Sequence, residues 1–562
     1  MSARNNNGTL TLKGDALSAN GGKLSINLTS GSTWTGRADD YQDADLKEQV
    51  ESGFFNPKFS HDIAASGTVK VNLAQGAKWN VTGQSWITTL DGTGGVIDMR
   101  NTNGDASRTS HAVHIGDLTG SHTFVMDLDT NHTVSDMLYI KGEASGEQKL
   151  WINSIEGLEK LEEDGEIRFA TVNSDNITFS GDYNFGSYEN AKNGILLADN
   201  GVLDNAFVIK KENYTTTDVD NAGYNGTDFN ETKPGEGYIN DNYGEGSFNW
   251  LLAKDSSGDK VSDAGKTIIN MSRANYKNAI YMDRLNKRMG EMSYVNGEEE
   301  QGLWVRLRHD RIGQSGDFRS MNTMYELGYD VKQPTDNGEH RIGMAIDYMR
   351  GSTTYDDIMG KGETKRYGLW LYDTWLGEKG HYVDYVAKWG HLSNDFDITA
   401  KTTGEKITGD YSNNVFSVSA EYGKKNDMGN NWYFEPQAQL QLARVTGADY
   451  VTTQGSKVNV DGINSLIGRA GFRIGRDMDE NSTVYLKADL LHEFMGDQTV
   501  TAADATGTLR EEFENKGTWY DVGFGFATKM SKNSYAFMDF EKSFGNDNDE
   551  TYQINAGMQW SF

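Results

Sequence analysis

The closing stretch Tyr552-Gln-Ile-Asn-Ala-Gly-Met-Gln-Trp-Ser-Phe562 alternates without a break. Tyr552, Ile554, Ala556, Met558, Trp560 and Phe562 share one face, and Gln553, Asn555, Gly557, Gln559 and Ser561 share the other. A period of two is that of a β-strand, whose successive side chains point to opposite sides. One wholly apolar face backed by polar residues and Gly suits a strand that divides lipid from a wet interior.

The same alternation recurs upstream. Ile342, Met344, Ile346 and Tyr348 oppose Arg341, Gly343, Ala345 and Asp347. Val484, Leu486, Ala488 and Leu490 oppose Tyr485, Lys487 and Asp489, and Tyr520, Val522, Phe524 and Phe526 oppose Asp521, Gly523, Gly525 and Ala527. Segments beginning near 302, 320, 340, 364, 381, 412, 431, 465, 483, 517, 534 and 552 make twelve strands after Gly302. Each can cross a bilayer when tilted, for which about 9–11 residues suffice. Short turns such as Lys425–Asn430 alternate with longer polar loops, expected at Thr399–Asp410 and Thr499–Asn515. That asymmetry, the even strand count and the polar inner face predict a transmembrane β-barrel. A soluble half-buried sheet, refolding without detergent, is the alternative.

Ahead of the strands the spacing predicts a helix over Ser272–Met292, with no Pro and no Gly before Gly290. Its length is roughly 30 Å, about the thickness of a bilayer core. It carries Arg273, Lys277, Asp283, Arg284, Lys287, Arg288 and Glu291. Charges at that density cannot face lipid, so the helix is expected in the barrel lumen, near wall acids such as Asp347, Asp489 or Asp521.

The N-terminal part reads differently. Leu24, Ile26, Leu28, Gly31 and Trp34 recur 45 residues on as Val69, Val71, Leu73, Gly76 and Trp79. Period-two apolar residues, a corner Gly and then an aromatic describe strands winding around a solenoid. Two copies also leave room for an ordinary β-sandwich. Short strand-like runs continue at Val96–Met99, Phe124–Leu128, Met137–Ile140, Ile167–Ala170 and Phe248–Leu252, separated by turn residues. The Asn/Gly/Asp-rich stretch Tyr214–Tyr243 reads as loop, and Lys254–Asp259 as a linker.

Composition agrees with a β-rich chain of more than one domain: 562 residues, 64 Gly, only 4 Pro. The absence of Cys excludes disulfides and thiolate chemistry. A formal charge of −29 argues against nucleic acid as a partner. No apolar run approaches the roughly 18 residues of a membrane helix. The first residues, Met1–Asn7, lack the charged and apolar regions of an export signal, so the natural N-terminus is expected to lie further upstream.

Taken together, the terminal strand with its final Phe, the twelve strands and the segment Arg284-Leu-Asn-Lys-Arg-Met-Gly290 resemble the C-terminal half of the classical monomeric autotransporters of type V secretion. The upstream repeats resemble pertactin-like and AIDA-like passengers. Gly116–Ser121, Phe124–Met126 and Ser135–Ile140 resemble their autochaperone region, closed by a strand like Trp250–Leu252. The resemblance implies an all-β fold: a right-handed β-helix fragment, then a 12-stranded barrel with a linker α-helix in its lumen. It implies solenoid rungs over 1–95, an autochaperone region over 96–253, linker and lumenal helix over 254–292, and barrel over 293–562. Tyr552, Ile554, Ala556, Met558, Trp560 and Phe562 would be the signal read by the barrel-assembly machinery. Arg284, Leu285, Asn286, Lys287, Arg288, Met289 and Gly290 would be the lumenal segment. The implied partners are outer-membrane lipid, periplasmic chaperones and an unidentified ligand on a host or bacterial surface, with a monomer, no cofactor and no metal. The implied place is the Gram-negative outer membrane, with the passenger on the cell surface.

One departure from the family pattern concerns processing. Self-cleaving members carry Asn-Asn immediately before Leu-Asn-Lys-Arg-Met-Gly, and this chain has Asp283-Arg284. Asn278 and Asn286 lie nearby, off the matching point. Enzyme motifs are weak. Neither a Gly-x-Ser-x-Gly elbow nor a Gly-Asp-Ser-Gly run occurs. Ser257, His391 with Ser393, and His111-x-x-His114 lack the partners that hydrolysis or a metal site requires. The chain is therefore expected to be an exporter and displayer of its own passenger rather than an enzyme, with a passenger enzyme encoded upstream as the alternative.

Overall fold

A computed structural model describes residues 2–6, 8–18, 21–40, 67–100, 110–130, 135–157, 161, 165–183, 194–197, 201–214, 246–291, 300–401, 404–546, 548 and 550–562. The expected loop at 214–243 lies, beyond Tyr214, outside the described residues. Two compact units emerge, Met1–Asp199 with Asp204–Lys260, and Asn200–Leu203 with Val261–Phe562.

The first unit is a stack of parallel strands. Lys23–Leu28 lies parallel to Thr68–Leu73 and Thr33–Thr35 parallel to Lys78–Asn80. The register pairs Leu24 with Val69, Ile26 with Val71, Leu28 with Leu73 and Trp34 with Trp79, which is the 45-residue repeat. The corner glycines Gly31 and Gly76 have φ of 77° and 78°, a left-handed conformation that Gly adopts without a Cβ penalty. Inward residues of successive rungs, among them Val71, Leu90, Ile115, Phe124, Ile140 and Leu150, form one buried core. The stack continues through Ser85–Asp98, Ser121–Asp129, Gly146–Glu156 and Ile177–Tyr183. It then changes hand of pairing: Phe248–Lys254 runs antiparallel to both Glu166–Val172 and Leu203–Asn213. An antiparallel cap occupies the strand edge that a parallel rung would leave open. The strands expected at 124–128, 137–140, 167–170 and 248–252 lie inside observed ones, and the one at 96–99 does so up to Asp98.

The second unit is a closed barrel of twelve strands. They are β1 Gln301–Gln314, β2 Phe318–Thr335, β3 Gly338–Tyr355, β4 Met359–Gly377, β5 His381–Thr399 and β6 Lys406–Lys424. The circuit continues with β7 Trp432–Val445, β8 Ile463–Asp477, β9 Ser482–Glu493, β10 Gly517–Ser531, β11 Ser534–Phe544 and β12 Tyr552–Ser561. Neighbours are antiparallel throughout, and β12 closes on β1 with Trp560 opposite Leu303. The apolar face of each strand is turned outward: Met344 is 57% exposed, Leu486 61% and Phe524 58%. The opposite face is buried and polar, with Arg341, Asp347, Lys487, Asp489 and Asp521. A barrel has no free edge, and its polar lumen is compatible with lipid only because the wall closes.

Two expected loops are corrected. The Thr399–Asp410 loop is short, because β5 runs to Thr399 and β6 starts at Lys406. The Thr499–Asn515 loop is a hairpin of Asp497–Asp504 and Gly507–Glu514, joined to Ala448–Val451 and Lys457–Val460 in a separate four-stranded sheet. Its inner residues Val458, Val460, Val500, Ala502 and Leu509 are buried against the lumenal helix. Thr501, Arg510, Glu511 and Glu512 lie between or beside them, so the composition looks like loop while the period is that of strand.

Candidate functional site

Inside the barrel lies a broken helix. The first piece, α1, spans Asp263–Ala279, and the second, α2, spans Leu285–Met289. The expected single helix over 272–292 is thus corrected at both ends, and Met292 lies outside the described residues. The start is earlier because Ser262 caps it, its hydroxyl accepting from the Gly265 N–H at 3.0 Å, with Asp263 in the first turn. The break at 280–284 follows from the wall. Gln441 donates to the Ile280 carbonyl and Gln439 to the Asp283 carbonyl, each at 2.7 Å, while Glu421 accepts from the Leu285 N–H at 2.9 Å. Backbone groups that would bond along a helix are satisfied by barrel side chains instead.

Side chains of α1 and α2 reach nearly every sector of the wall. Asn278 accepts from Asn322 of β2 at 2.9 Å, and Asn275 accepts from Asn394 of β5 at 3.0 Å. Tyr276 donates to Glu493 of β9 at 3.0 Å, and Tyr281 to Glu326 of β2 at 3.2 Å. Arg284 bonds Asp489 and Asp521 at 2.6 Å and Glu541 at 2.8 Å. Lys287 bonds Glu541 at 2.7 Å and Gln553 at 2.9 Å. Arg288 pairs with Asp384 at 2.6 Å and with Asp283 at 3.3 Å, and Arg306 of β1 also holds Asp283 at 2.8 Å. Asn286 donates to Glu435 of β7 at 3.0 Å. Leu285 and Met289 pack with Trp304, Trp370 and Tyr372. Gly290 has φ of 60° and lies against the Phe537 ring, where a Cβ would come within 2.6 Å.

Of the wall acids expected to meet the helix cations, Asp489 and Asp521 do. Asp347 faces Arg366 and Trp370 instead. Glu541, Asp384 and Glu326 had no signal in sequence beyond their place on inward positions. Buried charges of this kind are tolerated when each is paired and hydrogen-bonded, and breaking one pair leaves the other charge exposed to the full desolvation cost. The arrangement is that of a stopper keyed to its channel by charge.

The chemical alternatives find little geometry. Ser257 donates to Asp255 at 2.5 Å and His391 pairs with Asn414 at 3.0 Å. His114 is sandwiched between Trp86 and Tyr139, at ring separations of 4.9 and 4.7 Å, while His111 bonds the Met99 carbonyl. Among the described residues no group of three or more His, Asp or Glu could hold a metal ion. Five of the six candidate signal residues lie on the outward face of β12, Phe562 follows it at 56% exposed, and Asn555, Gly557, Gln559 and Ser561 face inward.

Two family models match this chain, Autotransporter beta-domain over residues 301–541 and Pertactin over residues 87–188. With the closed barrel and its stopper, they decide the assignment. The chain belongs to the classical autotransporters. It is similar to the serine protease pet autotransporter of Escherichia coli O44:H18, with 26% identity over 89% of this chain and 35% of that protein. It is also similar to the pertactin autotransporter of Bordetella bronchiseptica, with 24% identity over 89% of this chain and 56% of that protein. The chain therefore spans between about a third and just over half of the length of these relatives. Among solved structures, the β domain of the Bordetella autotransporter BrkA is 25% identical, covering 47% of this chain and 100% of that one at a TM-score of 0.39. The autotransporter's barrel is an outer-membrane domain.

Proposed function

We propose that this autotransporter exports its own β-helical passenger through the barrel and keeps it displayed on the cell surface, where it acts as an adhesin and not as an enzyme. The observation that carries the reading is covalent continuity: one polypeptide runs from the stacked rungs into α1 and α2, and from there into the wall that encloses them. A chain that ends its journey inside its own pore has used that pore once, and its lumenal charges match the wall they stop in. In this reading 1–95 are passenger rungs and 96–253 the autochaperone region. The segment 254–292 is the linker and stopper, and 293–562 the translocator. Tyr552 to Phe562 serve the assembly machinery, periplasmic chaperones escort the chain to it, and the molecule works as a monomer. Stacking of each emerging rung on the antiparallel cap would oppose backsliding, with no need for a nucleotide.

Adhesion is supported by the pertactin resemblance and by the Asn- and Thr-rich rungs, followed by an acidic stretch over 96–253. Cells making the chain behind an export signal should lose the 1–253 segment to external protease while retaining the barrel. They should also bind a surface that cells carrying the barrel alone do not. Passenger that stays protease-resistant until lysis would overturn the display reading. Protease names among the relatives favour a second reading, a catalytic passenger, which hydrolysis by the displayed chain would reveal.

A further inference from the structure

The stopper does not fill the lumen evenly. Toward β2, β3 and β5 the first turns of α1 are packed dry, with Ile268 and Met271 among Phe318, Tyr355, Phe396 and Ile398. Toward β10, β11 and β12 a cavity of about 330 Å³ remains. Glu512, Glu514 and Asn515 of the long hairpin line its mouth, so it begins at the loop end of the barrel. Arg284, Lys287, Asp521 and Glu541 line its depth. Beyond Arg284 and Lys287 lies a second void of only about 10 Å³, lined also by Tyr485, Lys487 and Asp539. The same two cations border both spaces. Their bonds to Asp489, Asp521, Glu541 and Gln553 are what separates one from the other.

The wall on this side is acidic. Inward positions of β6 to β11 carry Glu421, Glu435, Asp489, Glu493, Asp521, Asp539 and Glu541, against Arg469, Arg473 and Lys487. Arg284 and Lys287 make up part of that difference from the stopper side. A lumen whose wall carries an excess of one sign of charge, in low-dielectric surroundings, concentrates ions of the opposite sign. We propose that Arg284 and Lys287 form an ionic plug that closes a cation-selective path through the barrel while the rest of the stopper stays in place. The two side chains occupy the positions that mobile cations would otherwise take. The helix and the four-stranded sheet pack against each other on one side, whereas on the other these two charges stand between the two voids.

The test uses the full chain, folded and inserted in planar bilayers under a gradient of KCl. Wild-type protein should conduct little. Arg284→Gln/Lys287→Gln should conduct several-fold more, with a reversal potential on the cation-selective side. Adding Asp521→Asn/Glu541→Gln to that variant should move the reversal potential toward zero. Heat-modifiable gel migration reports whether each variant is a folded barrel. Where the double variant fails that check, Lys287→Gln alone carries the test under the same criteria, because Arg284 keeps its three carboxylates. A folded variant that conducts no more than wild type, or that selects anions, would overturn the proposal.

Discussion

Phe562 and Gln301 exchange two backbone hydrogen bonds, from the Phe562 N–H to the Gln301 carbonyl at 3.0 Å and back at 3.2 Å. The last residue of the chain thereby pairs with the first of the wall and completes the circuit of strands. Its ring points outward and is 56% exposed. As structure alone, the ring is one lipid-facing contact worth about 1.5–3 kcal/mol. Deleting Phe562, or replacing it with Asp, is expected to do more than that: synthesis intact, outer-membrane barrel strongly reduced. Fractionated membranes probed for heat-modifiable protein give the readout. Wild-type levels of the deletion mutant in the outer membrane would reduce the residue to its contact.

Trp34 and Trp79 stack at 4.6 Å with an interplanar angle of 10°, and their indoles donate to the carbonyls of Gly14 and Gly36. Both are fully buried. Either Trp→Ala change should lower the stability of the rungs by about 3–5 kcal/mol. The double variant should lose less than the sum, since the stack contributes roughly 0.5–1.5 kcal/mol that can be lost only once. Urea titrations followed by proteolysis of 1–253, with the barrel held folded in detergent, would measure each. Strictly additive losses would mean the rings do not couple.

His114 sets a pH dependence for the passenger. Burial between Trp86 and Tyr139 holds its imidazole well below the ordinary value of 6.5, and the nearby Lys141 acts in the same direction. Burial likewise lowers His111 and His122, against partial opposition from their hydrogen bonds. A depressed folded-state value means that the unfolded chain binds the proton first. Stability is therefore complete above about pH 6.5 and is lost as pH falls below it. The urea midpoint of the rungs should fall between pH 7.5 and 5, and His114→Phe should flatten the slope. A midpoint equally pH-dependent in that variant would assign the effect elsewhere.

How much of this was legible in sequence depended on periodicity. Trp34 over Trp79 and Ile26 over Val71 could be read because a stacked rung repeats its inward residues at fixed offset. The barrel strands could be read because each carries an uninterrupted apolar face, as from Ile342 to Tyr348. The hairpin at 497–514 was missed: Val500 and Ala502 alternate correctly, but Thr, Asp and Glu around them imitate a loop. The break in the stopper was invisible for another reason. Nothing between Ile280 and Arg284 is a helix breaker, and the turn is undone by Gln439, Gln441 and Glu421, which are more than a hundred residues away in the chain. Arg284 was legible as a charge needing a partner, but its convergence on Asp489, Asp521 and Glu541 depends on how three wall strands close around it.

Self-cleavage by an Asn amide requires its side-chain nitrogen to attack its own backbone carbonyl. At the matching point Asp283 offers a carboxylate, held by Arg306 at 2.8 Å and Arg288 at 3.3 Å. An Asp carboxylate has no amide nitrogen to form the ring, and here each of its two oxygens is held by a guanidinium. That carbonyl accepts from Gln439 at 2.7 Å, so the peptide is polarised but meets no nucleophile from its own residue. Of the neighbouring amides, Asn286 gives its side-chain nitrogen to Glu435, and Asn278, five residues before the matching point and inside α1, accepts from Asn322 through its oxygen. Protein folded in membranes should therefore run as one chain after boiling, with the passenger still joined to the barrel. Two fragments, with a new N-terminus between residues 278 and 290, would sink the idea. They would point to wall carboxylates or an external protease as the cutting agent, and a displayed adhesin would become a released one.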